Sequence, residues 1–430
     1  MALSALFEIR RNVLTCLAAR ACPIARCPRP MAGTQTAAIT DSEAFLRPLG
    51  GYFRDRFSPM PDSPEKLSVL FVSPYPICPP VHGGGVFMYQ TTMELAKLCH
   101  LHLIVLLDFP SQQAAHDELV SRCASASFLV RMTGRHHSCG SILPHAVSEF
   151  RNDDLEWLIQ RQIYAGKVDV LQLEYTPLGQ YAGQFQRLCS ILFEHDIYFQ
   201  SIGRQLPNLR NLKKGKPCSS IFEPFASCAA ASHDRIQVCS RDNRDVLVSF
   251  LPGVASRIDE DLRAGIATDR YAKLAEREAE TMLFLGSFRH LPNEEALQWF
   301  TRQVLPFILQ QKPEAKLVVI GAEPPPSHSL PNSPAIRMRG FVEDILQPLA
   351  TAGVFVCPIL SGSGMRVKLL EAFAAGIPVV STRIGAEGLA TTDGEYCALA
   401  DEPEEFATRV VELMNDPSRA QQMAAAPANM

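Results

Sequence analysis

With 430 residues, 47% of them hydrophobic, the chain is too long for one typical domain and has material for two or three cores. A formal net charge of −4 offers no basic field for nucleic acid. The 13 cysteines show neither a CxxC pair nor regular spacing. They exclude a disulfide framework or zinc ribbon and read as reduced, mostly buried thiols of a cytoplasmic protein. No apolar run approaches the ~20 residues of a membrane helix.

Residues 1–65 read as a poorly ordered extension. Its first forty residues carry Arg10, Arg11, Arg20, Arg26 and Arg29 against the single acid Glu8, a bias that superficially resembles an organelle transit peptide. At Lys66 the pattern changes. Leu67 to Val72 predicts a strand buried on both faces of a parallel sheet. A proline-rich loop with Gly83, Gly84 and Gly85 follows, then a helix over Phe87 to Leu98 and a strand over Leu101 to Leu107. The loop is not GxGxxG, so a dehydrogenase fingerprint is excluded, but three glycines let backbone approach a ligand closely. Further on, Ala114 to Leu129 reads as helix and strand, and His136, His137 and Cys139 lie in a loop without metal-site spacing.

Asp153 to Ala165 predicts a helix, Val168 to Tyr175 a strand, and Pro177 to Cys189 another helix. The strand from Ile191 ends on Glu194-His195-Asp196, where the carboxyl ends of open α/β sheets hold their ligands. Ser201 to Lys216 carries Arg204, Arg210, Lys213, Lys214 and Lys216. It reads as a solvated face or as a surface for an anionic acceptor or peripheral membrane contact. Ser240 is an expected N-cap for a helix over Arg241 to Leu251. Residues 252–278 read as a crossover whose Asp259-Glu260-Asp261 is surface charge with no strand before it.

A second α/β series then starts: strand Thr281 to Gly286, loop Ser287 to Asn293, and a helix Glu294 to Gln311 interrupted near Pro306. A strand Lys316 to Gly321, a short strand Ile336 to Val342 and a helix Asp344 to Ala352 come next. Val354 to Pro358 is a strand, Ser361-Gly362-Ser363-Gly364 a small loop, and Met365 to Ala375 a helix stopped by Gly376 and Pro378. Val379-Val380 completes a βαβ unit, and Pro403 to Asn415 a last helix. A Gly/Ser loop at a helix start is an anion site, and Arg366 and Lys368 add positive charge beside it. The alternation predicts an α/β protein of two doubly wound, Rossmann-like halves facing each other across a cleft: residues 66–262 and 263–430.

From about Lys66 to Ala425 the chain resembles retaining GT-B-fold glycosyltransferases, specifically glycosyltransferase family 4. The Gly83-Gly84-Gly85 loop, Glu194-His195-Asp196, Phe284 to Asn293, and Gly364 to Gly376 with Pro378-Val379-Val380 carry the resemblance, in the family's order. It implies a nucleotide-diphosphate sugar as co-substrate, with no cofactor and no metal, and an acceptor that is lipid-linked, a polysaccharide or a small molecule. In the donor half it implies Gly340, Phe341 and Val342 along the base, and Ser361, Gly362, Ser363 and Gly364, with the backbone from Met365 on, around the diphosphate. Glu371 would bind the ribose, and Gly286 and His290 would belong to the same donor side. Arg289 or His290, and Arg366 or Lys368, would be cations on the leaving group. His195 would face the reacting sugar, with Gly83, Gly84 and Gly85 as acceptor or phosphate loop.

The implied chemistry retains the anomeric configuration, in the cytoplasm or at the cytoplasmic membrane face. Three departures stand out. Ser363 occupies the place of the family's first Glu; Ala264-Gly265-Ile266-Ala267 replaces Asn-Gly-Val-Asp; and the helix that crosses back onto the first domain looks short or absent. These leave a nucleotide-binding family member without turnover as an alternative, beside a GT-B-fold epimerase or phosphorylase.

Overall fold

The computed structural model describes residues 66–80, 83–131, 147, 149–182, 188–197, 200–201, 204, 232–259, 265–271 and 277–426. The amino-terminal extension, His136, His137, Cys139, Arg210, Lys213, Lys214, Lys216, Glu260, Asp261 and Ala264 lie outside them.

Among the described residues the first sheet has seven parallel strands: β1 (Ser68–Ser73), β2 (His100–Leu107), β3 (Ser125–Val130), β4 (Val170–Glu174), β5 (Cys189–Glu194), β6 (Arg235–Val238) and β7 (Ile258–Asp259), in the order β3-β2-β1-β4-β5-β6-β7. β1, β4 and β5 are buried along their whole length, as their apolar runs require between two helical layers. Around them lie α1 (Gly83–Leu98), the short α2 (Asp117–Val120), α3 (Asp153–Ala165) and α4 (Arg241–Phe250). Asn152 caps α3 by accepting from Asp154 N and Leu155 N, and Ser240 caps α4 by accepting from Asn243 N.

The second sheet has six parallel strands: β8 (Glu278–Leu285), β9 (Lys316–Ile320), β10 (Ile336–Gly340), β11 (Ala352–Cys357), β12 (Val379–Ser381) and β13 (Ala398–Leu399), in the order β10-β9-β8-β11-β12-β13. Its helices are α5 (Leu291–Trp299), α6 (Leu305–Gln311), α7 (Leu346–Thr351), α8 (Val367–Ala374), α9 (Pro403–Asn415) and α10 (Pro417–Ala425). A π-helical turn, Phe300–Val304, joins α5 to α6 just before Pro306, which cannot donate to the helix ladder. Its core gathers Phe284, Phe300, Phe355 and Phe406, all nearly inaccessible to solvent.

Several expectations are corrected. Gly83 to Gly85 form the first turn of α1 rather than a loop ahead of it. α8 starts at Val367, not Met365, because Gly364 holds a left-handed φ of +81° and Arg366 is still extended. The stretch after Ala114 is two 3-10 turns and one short helix, and the helix expected from Pro177 is a 3-10 segment, Thr176–Tyr181. Asp259 sits on strand β7 and pairs with Arg235, so it is a partly buried ion-pair partner rather than loose surface charge. An extra helix, α10, folds onto the second core through Met423.

In each sheet the strand order reverses beside its first strand, between β1 and β4 and between β8 and β11, which places the crevices at the carboxyl ends of those strands. The two crevices meet. A small apolar cluster spans the junction, with Phe87, Phe193 and Cys239 from the first half against Val367 from the second.

Candidate active site between the two halves

The first half contributes the residues at the ends of β4 and β5. His195 is buried, and its Nε2 lies 2.5 Å from Glu174 Oε2 at the end of β4. Its ring stacks on Tyr175, with centroids 4.0 Å apart and planes 13° from parallel, while Phe87 meets it edge-on. Glu194 points into the protein, where Thr176 Oγ1 donates to it; burial pushes its pKa up to about 7. Burial also raises the Asp196 carboxyl above its usual range, against the pull of Arg366, His195 and His290.

From the second half comes the loop before α8. Gly362 and Gly364 both have left-handed backbones, φ +94° and +81°, which bring the loop against His195 and Asp196. Ser363 Oγ accepts from Ile197 N (3.1 Å) and Asn243 Nδ2 (3.3 Å) and donates to Gln200 Oε1 (2.9 Å). That saturates a hydroxyl, and all three partners belong to the first half. Ser361 Oγ donates to Glu295 Oε2 (2.8 Å). Arg204 adds a bidentate ion pair to Glu387 (2.7 and 2.8 Å) and a bond to Gly362 O (2.7 Å). For Arg204 this corrects the solvated-face reading: its side chain ties the halves together.

Between the halves lies a cavity of about 80 Å³ lined by Gly83, Gly84, His195 and Asp196 on one side and Met365 and Val367 on the other. The first turns of α1 and α8 meet there so closely that a Cβ on Gly83 would lie 3.3 Å from the Val367 side chain. Two helix amino termini thus converge on one space, each with the positive end of its dipole.

The expected cations behave differently from the expectation. Arg366 folds back over its own loop and donates to the carbonyls of Ser363, Gly364 (2.7 Å) and Ser361 (3.4 Å), while its buried Nε has no partner among the described residues. Lys368 Nζ donates to Leu285 O (2.9 Å) and Asn293 Oδ1 (2.8 Å) over the Phe284 ring, and burial lowers its pKa to about 8. Both reinforce the cradle from behind. Arg289 is not brought to the site: it pairs with Glu323 at 2.5 Å, both side chains more than half exposed. His290 is exposed at the start of α5, its charge coupled to that of Asp196.

Glu371 lies farther along α8, where Tyr271 OH donates to it (3.1 Å) and burial raises its pKa to about 7. Gly286 packs against the Asn293 side chain, and Gly340 is left-handed with its carbonyl accepting from Gly321 N. Beyond it Phe341 is exposed and Val342 half-buried. Gly85 is buried within α1. Sequence reasoning missed Glu174, Tyr175 and the Arg204–Glu387 pair. The rule that strand ends carry function applies to Glu174 as well as to His195.

Residues 279–416 match the family model described as "Glycosyl transferases group 1". Over 139 residues the chain is 30% identical to an "Uncharacterized 44.6 kDa protein in cps region" of Klebsiella pneumoniae, a match covering 30% of this chain and 36% of that protein. The chain thus spans about a third of the length of that curated relative. Among solved structures it is similar to sucrose-phosphate synthase from Thermosynechococcus elongatus, with TM-score 0.63, 12% identity, and 84% of this chain and 93% of that one covered. It is also similar to Anabaena HepE in complex with UDP-glucose, with TM-score 0.60, 12% identity, and 84% and 93% covered. The fold is GT-B. Within this GT-B fold the cavity lies where the two sheets present their carboxyl ends, and the family match takes in the whole of the Ser361 to Gly364 loop and α8. Among the described residues no helix is long and apolar enough to cross a membrane.

Proposed function

We propose that this protein transfers a sugar from a nucleoside-diphosphate sugar to an acceptor hydroxyl, with retention of anomeric configuration and without a metal. One observation carries the reading: two helix amino termini, one from each half, converge on a cavity that His195 also lines. Residues 263–430 hold the donor and residues 66–262 the acceptor, whether lipid-linked, a polysaccharide or a small molecule.

The electrostatics follow from the bond to be broken. As the glycosyl–phosphate bond lengthens, positive charge builds on the sugar and negative charge on the departing diphosphate. The N–H groups of the loop and of the first turn of α8 receive that negative charge. The Arg366 Nε–H, without a partner among the described residues, and the Lys368 ammonium lie just behind them. Glu371 binds a ribose hydroxyl. With retention, the acceptor attacks the face the diphosphate leaves, and the diphosphate takes the acceptor's proton. An 80 Å³ cavity is far below the roughly 300–1,000 Å³ of small-molecule sites, so the halves open to admit the donor and close around it. Closure excludes water and favours transfer over hydrolysis.

The HepE complex makes UDP-glucose the first donor to test. The experiment measures release of free nucleoside diphosphate from a panel of sugar donors, with and without acceptors, and the anomer formed by NMR. Release with a retained anomer is expected. Tight nucleotide binding without release from any donor would overturn the reading in favour of a binding protein, the outcome that the saturated Ser363 makes worth scoring.

A further inference from the structure

Successive side chains on a strand point to opposite faces of the sheet. Glu174 and Tyr175 violate this, since both reach the same imidazole. The cause is local. Tyr175 has φ +67° and ψ 145°, a region that side-chain-bearing residues avoid, although its N–H still donates to Phe193 O (2.8 Å). The twist turns two consecutive side chains onto His195, one against its ring nitrogen and one against its ring face. An outlier of this kind persists only where its surroundings over-determine it. Here they do: the Tyr175 ring also meets Tyr75 edge-on at 5.3 Å.

Glu174 is itself fixed. Its second oxygen accepts from Gln172 Nε2 (2.9 Å), which also donates to Gln237 Oε1 (3.1 Å), and all four side chains from Gln237 to His195 are buried. With Glu174 ionised its oxygens can only accept, so a neutral imidazole carries its proton on Nε2. Nδ1 is then the ring nitrogen left to accept a hydrogen bond. Phe87, Phe193 and Tyr175 hold the ring plane.

We propose that Glu174 and Tyr175 are positioning residues for His195: the left-handed backbone at Tyr175 aims both at the imidazole, fixing its Nε2–H tautomer and its plane so that Nδ1 serves the cleft as an acceptor. This rests on the sugar-transfer reading for its catalytic consequence, but its structural content is independent of it. The partner for Nδ1 is a hydroxyl of the bound donor sugar or acceptor.

The test combines a spectroscopic and a kinetic measurement on the full chain. 15N NMR of the histidines, with His195 assigned through His195→Gln, should show pyridine-like Nδ1 and protonated Nε2 in the wild type. Glu174→Gln, whose amide can either accept or donate, should give a mixture of tautomers. Its kcat should fall by about 100-fold with KM and nucleoside-diphosphate affinity nearly unchanged, and Glu174→Asp should recover part of the loss. Tyr175→Gly, which relieves the backbone but removes the ring, should still lose about 10-fold in kcat. A wild-type His195 protonated on Nδ1, or a Glu174→Gln variant with wild-type turnover, would overturn the proposal. Should the variants fail to fold, the wild-type spectrum alone decides. Should the wild type release no nucleoside diphosphate from any donor, the sugar-transfer reading fails, and the tautomer still reports on the positioning.

Discussion

Each half of the molecule begins a helix at the cleft behind small residues, yet the two starts are built on different physics. In the second half, Gly362 and Gly364 supply a backbone that other residues resist, with φ of +94° and +81°. The loop they make is cross-tied by Ser361, Ser363 and Arg366. In the first half, Gly83 needs no unusual φ. It already belongs to α1, and its lack of a side chain lets α1 approach Val367 of α8. One glycine cluster shapes a loop and the other permits a close approach, so the same residue type calls for different expectations on substitution.

The largest effect should come from the loop. In Gly364→Ala, the new Cβ overlaps Asp196 Oδ1 and comes within 2.5 Å of the His195 carbonyl oxygen. The strained φ alone costs about 1–3 kcal/mol, and a backbone oxygen cannot swing aside. The halves must then part at the site, so kcat should drop by about 100-fold or more, alongside a lower melting temperature. Steady-state kinetics and calorimetry check this, and wild-type turnover in this variant would remove the loop from the site.

Glu371→Gln should come next, and its effect depends on pH. Burial raises the Glu371 pKa from 4.5 to about 7, although Tyr271, Arg270 and Lys368 pull it back. A raised folded-state pKa gives stability that is full below the unfolded value and is lost as pH rises through about 7. The amide keeps the Tyr271 bond and has no charge to lose. The variant should match the wild type near pH 4 and exceed it at pH 8 by on the order of 2 kcal/mol, after allowance for partial exposure. Glu194, also raised to about 7, remains and keeps part of the slope. Denaturant titrations at both pH values test the sign. The same variant should bind donor more weakly, a stability gain at a site that functions by burying a charge.

Alternating apolar runs and turn residues made the two sheets legible, because parallel strands buried on both faces leave few other readings of stretches such as Leu67 to Val72. His195 was legible for the same reason, as the polar end of a buried strand. What pattern could not reach was direction. Arg366 and Lys368 stand beside an anion site in sequence, but nearby carbonyls and Asn293 claim their donors. Arg289 follows a strand yet turns outward to Glu323. Glu174 and Tyr175 escaped because alternation places them on opposite faces, and only the positive φ at Tyr175 brings both to His195. Pairing across the halves was equally invisible, since Arg204 and Glu387 lie 183 positions apart.

That pair gives the third prediction. Arg204 and Glu387 meet in a fork, partly shielded from water, so a double-mutant cycle with Arg204→Met and Glu387→Gln should return a coupling of about 1 kcal/mol that shrinks with added salt. A coupling of zero would shift the weight to the other ties between the halves, among them Ser363, the bond from Gly388 N to Asp242 Oδ2 and the apolar junction.

The smallest effect should be that of Gly83→Ala, and it tests the comparison most directly. The added methyl would lie 3.3 Å from Val367 Cβ and Cγ2, so the neighbour must yield by a few tenths of an ångström. Against that crowding, alanine is the better helix former by up to ~1 kcal/mol, less in a first turn. The two nearly cancel, and stability should change by no more than about 0.5 kcal/mol in either direction. The penalty should appear instead in ligand binding, because the methyl occupies the space in which the two helix starts converge. Donor affinity should weaken several-fold while the melting temperature stays put, measured by titration calorimetry and thermal denaturation. If Gly83→Ala unfolded the protein as readily as Gly364→Ala, the glycine would be serving the backbone after all, and the two helix starts would be two copies of one device.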